Sequence, residues 1–278
     1  SWAKDLETLQ AANAIEIQLG QGLWGPAPVE IPATRLARNP KLRRLLGVQP
    51  GETAKIPPRF LEVETDQELR ELVAELREKT GGIPIGIKLG ATQWLERELE
   101  IILRANPDFV AIDGIEGGTH GNLGSTLDAL GLPTLYALVR ARQFLEKKRL
   151  SGKVSLLVGG GLYSSMDFLK ALALGADAVF IGTIALLALV HTQAIKVLPW
   201  EPPTTLIYNR GRVKQKFNID QGAQALANFF KASVQEMQIA TLTLGKNHLN
   251  TVDKKDLSSV NRELANYLGV KWCGDPAV

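Results

Sequence analysis

Three glycine-rich segments, each closing an apolar run, carry the chemistry expected of this chain: Asp113-Gly-Ile-Glu-Gly-Gly-Thr119, Gly159-Gly-Gly161 and Gly182-Thr183. Glycine lets a backbone approach a ligand closely. The free N–H groups of a following helix then suit a phosphate. A glycine at one strand-to-helix turn is commonplace. Three in register say more, and the last two, about one strand–helix unit apart, match the phosphate site after the final two strands of many barrels. Lys88 ends another apolar run, where it can pair with a strand-end acid, Glu116 or Asp113.

These segments need elements to hold them, and the apolar pattern supplies a strict alternation. Ile15–Leu19 reads as a strand, and Leu69, Leu72, Val73 and Leu76 recur at helical spacing until Gly81-Gly82. Strands then fall at 83–89, 109–112, 154–158 and 178–181, with helices at 94–104, 132–145, 165–174 and 185–197. That rhythm signals a parallel α/β architecture. A doubly wound dinucleotide fold would want its glycine fingerprint at the first strand and an acid after the second, and neither is seen. Beyond Trp200, Thr205 to Phe217 allows a hairpin around Asn209-Arg210-Gly211, and 221–238 and 257–268 read as helices. Residues 1–200 are thus the barrel portion, with a long Pro-rich loop at 23–58, and 201–278 a mainly helical extension.

Composition removes several classes. The 278 residues, 45% hydrophobic and 22% charged, are ordinary for a globular protein with a large core. Net charge is +3, and the densest basic stretches, Arg35 to Arg44 and Lys147 to Arg149, read as a solvated loop and a helix end, so no nucleic acid is expected. The single cysteine, Cys273, excludes an internal disulfide and any all-cysteine metal site, and fits a reducing, cytoplasmic setting. His120, His191 and His248 lie far apart, so no metal is expected. The apolar run from Ala171 to Leu198 is interrupted by Asp177, His191 and Lys196, leaving stretches shorter than the roughly 20 residues of a membrane span. Ser1-Trp2-Ala3-Lys4 carries no signal pattern; without an initiating Met, upstream residues, a membrane anchor among them, stay open.

Four segments in consistent order carry a family resemblance: Ile15-Glu-Ile-Gln-Leu-Gly-Gln-Gly22, Ile85-Gly-Ile-Lys-Leu89, Asp113 to Thr119, and Ala171-Leu-Ala-Leu-Gly-Ala-Asp177. From about residue 12 to 200 the chain resembles the FMN-binding domain of glutamate synthase and its stand-alone relatives. The resemblance implies an α/β, TIM-type (β/α) barrel, only its later strands in this chain, followed by a helical appendix. It implies an FMN-dependent oxidoreductase of glutamate biosynthesis, in which electrons pass from the flavin to the imine of 2-oxoglutarate and ammonia. On the resemblance Lys88 sits near the flavin, its cation steadying negative charge on the reduced ring. Gly117, Gly118 and Thr119, with Gly159, Gly160, Gly161, Gly182 and Thr183, hold the phosphate and ribityl chain. Gln21 lies on the substrate side and joins Lys88 and Glu116 in the implied catalytic set.

The departures bear on substrate and electron supply. Relatives carry Lys where this chain has Gln18, and a Lys-Pro-Gly-rich loop where it reads Leu23-Trp-Gly-Pro26. Positive charge is thereby lost where a dicarboxylate is expected. Cluster-binding cysteines should follow the helix after Thr183; Leu189 to Trp200 has none, so no iron–sulfur cluster is expected and the electron donor is unidentified. His120 stands where a small Gly is usual; it reads as a surface histidine, with crowding or binding of the phosphate site as the alternative. The substrate is expected to be an oxo acid or amino acid. Five strands against the eight of a closed barrel leave open edges, so an upstream segment or a separate chain is expected to complete it, and a homo-oligomer is compatible. Three rival readings stand beside this one. They are another FMN-barrel dehydrogenase or isomerase, a degenerate scaffold subunit, and an aldolase-type barrel with Lys88 as a Schiff-base lysine.

Overall fold

The computed structural model describes residues 6–21, 29–56, 63–118, 130–208 and 211–276. By its contacts the chain divides into two compact units, Ser1–Val158 and Gly159–Val278. Thr119, His120, the segment 23–26 and the hairpin centre 209–210 lie outside the described residues.

The first unit opens with α1 (Leu6–Gln10) and β1 (Ile15–Gln18), then β2 (Val29–Ile31), α2 (Ala33–Ala37), α3 (Pro40–Leu45) and β3 (Ala54–Ile56). The stretch 23–58, expected as a loop, is instead organised where it is described. β2 and β3 pair antiparallel, and Ile31, Leu36 and Ala54 make a small core of their own. Its apolar residues are too widely spaced for a periodicity to show. Asn39, whose side chain accepts from Leu42 N at 3.0 Å, starts α3 as its N-cap.

Helix α4 (Asp66–Lys79) starts at a capping box between Thr65 and Glu68 and stops where Gly81 and Gly82 turn left-handed, at φ 72° and 91°. There follow β4 (Ile85–Gly90), α5 (Leu95–Leu103), β5 (Phe109–Asp113), α6 (Thr134–Lys147) and β6 (Ser155–Gly159). The order is β1, β4, β5, β6, with β1–β4 and β4–β5 parallel. Asp108 pins the entry to β4, accepting from Ile85 N at 2.8 Å and from Arg77 Nη2 at 2.6 Å. Apolar positions at i, i+4 and i+7 of α5 (Leu95, Leu99, Ile102) bury with Ile85, Ile87, Val110, Ile112, Leu145 and Leu156 in the core.

The second unit holds α7 (Ser165–Ala173), β7 (Ala178–Phe180), α8 (Thr183–Val190), α9 (Ile219–Thr243), β8 (Ser258–Ser259), α10 (Arg262–Leu268) and β9 (Lys271–Trp272). All five strands expected from the sequence are therefore present, and the fold class is α/β, the later strands of a TIM-type barrel with a largely helical C-terminal part. Phe168, Leu169 and Met237 pack α7 and α9 around one core. The Ser164 hydroxyl accepts from Asp167 N at 3.2 Å while Asp167 reaches back to Ser164 N at 3.0 Å, closing a capping box on α7. Ser164→Ala is expected to cost about 1 kcal/mol in urea unfolding, with the loss confined to the midpoint and no change in slope.

Three local expectations are corrected here. The helix expected over 185–197 ends at Val190 and continues as a 3-10 segment, His191–Lys196. The fully buried Gln193 explains the change, because both ends of its amide bond the backbone of Asn218, at 2.9 and 2.8 Å. Around Gly211 the described residues form 3-10 turns, Pro203–Leu206 and Lys214–Lys216, and no strand. The helix expected from 257 starts only at Arg262, since Asn261 caps it and Ser258 and Ser259 pair with Lys271 and Trp272. Among the described residues no helix is long and apolar enough to cross a membrane.

Candidate active site

Strand register alone gathers the polar residues of the first unit. Gln18, Lys88 and Ala111 lie in one row across β1, β4 and β5; Glu16 stands beside Gly86 and Gly90 beside Asp113. Side chains alternate along a strand, so Glu16, Gln18, Lys88 and Asp113 share one face, and Ile85, Ile87, Val110 and Ile112 are buried on the other. At Gly86 the Phe109 ring occupies the place of a side chain: an added Cβ would meet it at 2.0 Å.

Lys88 Nζ lies 3.1 Å from Asp113 Oδ2, with side chains only 13% and 4% exposed. The lysine thus takes Asp113 as its strand-end acid. Burial pushes the Asp113 carboxyl above its ordinary value, against the pull of Lys88. Glu16, half-buried beneath them, is raised in the same way by burial, opposed by Lys88 and reinforced by Asp113. Its Oε2 is buried and has no hydrogen-bond partner among the described residues.

The strand ends are tied by their backbones. Ala91 N donates to Asp113 O at 2.8 Å, Leu132 N to Ala91 O at 3.0 Å and Ile115 N to Leu132 O at 2.9 Å. Glu116 is drawn into this frame, its Oε2 accepting from Thr134 N at 2.8 Å and Thr134 Oγ1 at 2.7 Å at the start of α6. Gly114 meets the Thr134 backbone so closely that a Cβ would lie 2.3 Å from it, and a Cβ at Gly117 would lie 2.8 Å from the Asp113 side chain. Gln21 reaches the same turn, Nε2 donating to Gly117 O at 3.4 Å, and accepts from Gln18 Nε2 at 3.2 Å.

Lys88, Gln21, Glu116, Gly117 and Gly118 are therefore brought together in the first unit, and Thr119 lies outside the described residues. Glu16 was not singled out from the sequence. The signal was its place two residues before Gln18 in an alternating strand. In the second unit Gly160 and Gly161 are left-handed, with φ 114° and 65°, after the end of β6. Gly182 precedes α8 with no side-chain cap, and a Cβ there would meet nothing within 4 Å. The turn stands open before N–H groups that have no partner inside the helix.

A model of a conserved region in glutamate synthase matches residues 5–247. The archaeal-type glutamate synthase [NADPH] of Thermotoga neapolitana is 30% identical over 249 residues, 88% of this chain and 48% of that protein. The archaeal glutamate synthase [NADPH] of Archaeoglobus fulgidus is 29% identical, over 98% of this chain and 54% of that protein. The chain spans about half the length of these curated relatives. Among solved structures, a double mutant of flavocytochrome b2 with pyruvate bound aligns over 100% of this chain and 54% of its own, at 19% identity and a TM-score of 0.50, a likeness of fold.

Proposed function

Because the chain belongs to the glutamate synthase family, we propose that it is the later part of an FMN-dependent oxidoreductase acting on an oxo acid or its amino acid. The observation that carries this reading is the buried Lys88–Asp113 pair, held on a polar strand-end face beside Gln21. A lysine at 13% exposure, paired with a buried acid at the end of a strand, is the kind of group that marks a functional site. FMN, when bound, supplies the two-electron carrier. Its fit is supported in the second unit by the left-handed Gly160 and Gly161 and by the open, uncapped turn at Gly182 and Thr183, which suit a phosphate.

The residues of the first unit have distinct tasks in this reading. Lys88 offers positive charge to the flavin ring, and Asp113 holds the ammonium in place. Gln21 orients a substrate carbonyl or amine through an amide already fixed by Gly117 O. Glu116 acts on the site through Thr134, fixing the turn that carries Gly117. The neutral Gln18–Gln21 pair gives a carboxylate hydrogen bonds and no charge, so a mono-acid suits it as well as a dicarboxylate. With one cysteine, the chain cannot by itself furnish a thiolate set for an iron–sulfur cluster, and electrons reach the flavin from another donor. An upstream segment or second chain completes the barrel.

Visible absorption of the purified chain, beside a version extended upstream, tests this directly. Flavin bands in the extended protein, retained on desalting, support the reading. No flavin in either form, even after FMN is added, would sink it and favour a scaffold role.

A further inference from the structure

Among the described residues, the polar face sets two carboxyl groups, Glu16 and Asp113, beside Lys88. Asp113 takes Lys88 at 3.1 Å. Glu16 shares that face one strand further on, and its buried Oε2 has no hydrogen-bond partner among the described residues. An ionised carboxylate oxygen removed from water and left unpaired is costly; a neutral acid in the same place is much less so.

We propose that Glu16 is the proton-bearing member of a Glu16–Lys88–Asp113 cluster and a positioning residue for Lys88, leaving the lysine's charge undivided between two carboxylates. The charged groups acting on Glu16 are Lys88 on β4, which favours ionisation, and Asp113 on β5, which opposes it; burial outweighs the attraction. With Glu16 neutral the charges of the three-residue cluster sum to zero. With Glu16 ionised the cluster carries a net negative charge, which opposes electrons arriving on any cofactor beside it. The effect on a flavin rests on the FMN reading above; the protonation state does not.

Infrared spectroscopy of the flavin-free full chain, with 13C-labelled glutamate, is the test. The carbonyl stretch of a neutral, isotope-shifted carboxylic acid from Glu16 is expected to persist to higher pH than that of the exposed glutamates, the direction in which burial moves it. It should vanish in Glu16→Gln, which keeps the side-chain shape. In Asp113→Asn the lysine is released to Glu16, so the band should weaken and titrate at lower pH; a purely structural Glu16 would not respond. With FMN bound, the midpoint potential should fall as pH rises through the Glu16 titration, and that additional fall should be missing in Glu16→Gln. A parent chain in which no neutral-acid band outlasts those of the exposed glutamates as pH rises, or a late band that survives in Glu16→Gln, overturns the proposal. A clear band in a chain that binds no FMN would leave it standing and remove the flavin reading instead.

Discussion

Lys88→Met is expected to destabilise the chain by about 3–5 kcal/mol at about pH 8, and by clearly less at about pH 5. The substitution keeps the length of the stem and removes the cation that pairs with Asp113, which is only 4% exposed. Burial already raises the Asp113 carboxyl; without Lys88 it rises further. A carboxyl raised in the folded state favours folding below its unfolded value, and that contribution is lost as pH climbs through the folded value. The variant's deficit therefore grows toward alkaline pH and shrinks where Asp113 accepts a proton. Urea unfolding at the two pH values measures it. Adding Asp113→Asn to Lys88→Met should restore most of the loss at the higher pH, giving a large coupling energy in the double-mutant cycle. Equal deficits at both pH values, with no rescue, would mean that the pair is not what holds this face.

Gly114→Ala comes next in size, at about 3 kcal/mol. The new methyl would lie 2.3 Å from both N and Cα of Thr134, and backbone cannot swing aside as a side chain can. Either the turn after β5 or the first turn of α6 must move, and the bonds from Glu116 to Thr134 move with them. Thermal unfolding should show the lowered midpoint. If FMN binds, its affinity should drop too, because Gly117 and Gln21 hang from the same turn. Gly182→Ala is the matched control: a Cβ there meets nothing within 4 Å, so the fold should be unaffected while a phosphate loses room.

Much of the fold was legible because parallel strands buried on one face leave β-branched runs, and helices over them leave a 3.6-residue repeat. The four segments from 83 to 181 needed no more than that. What escaped has identifiable physical causes. The small β2–β3 module is held by three buried apolar residues scattered over 24 positions, Ile31, Leu36 and Ala54, too sparse for any period to register. The break after Val190 depends on where Gln193 finds its partners, 25 residues away at Asn218. Site residues were legible in kind more than in pairing. The sequence offered Lys88 two acids; which one it takes depends on Glu116 being occupied by Thr134, across the undescribed residues 119–129. Glu16 was invisible for a simpler reason, since a carboxylate in an alternating strand reads as solvent-facing until the neighbouring strand supplies its register.

The backbone chain from Asp113 through Ala91 and Leu132 to Ile115 has a bearing on how such a site can change over evolutionary time. Barrels diversify because each loop can be exchanged with little notice from its neighbours. Here the loop after β4 donates to the end of β5, and the loop before α6 bonds to both. An insertion in one is an insertion in three. Transplanting a relative's loop after β4 alone should give a poorly folded chimera, and moving the three segments as one cassette should not.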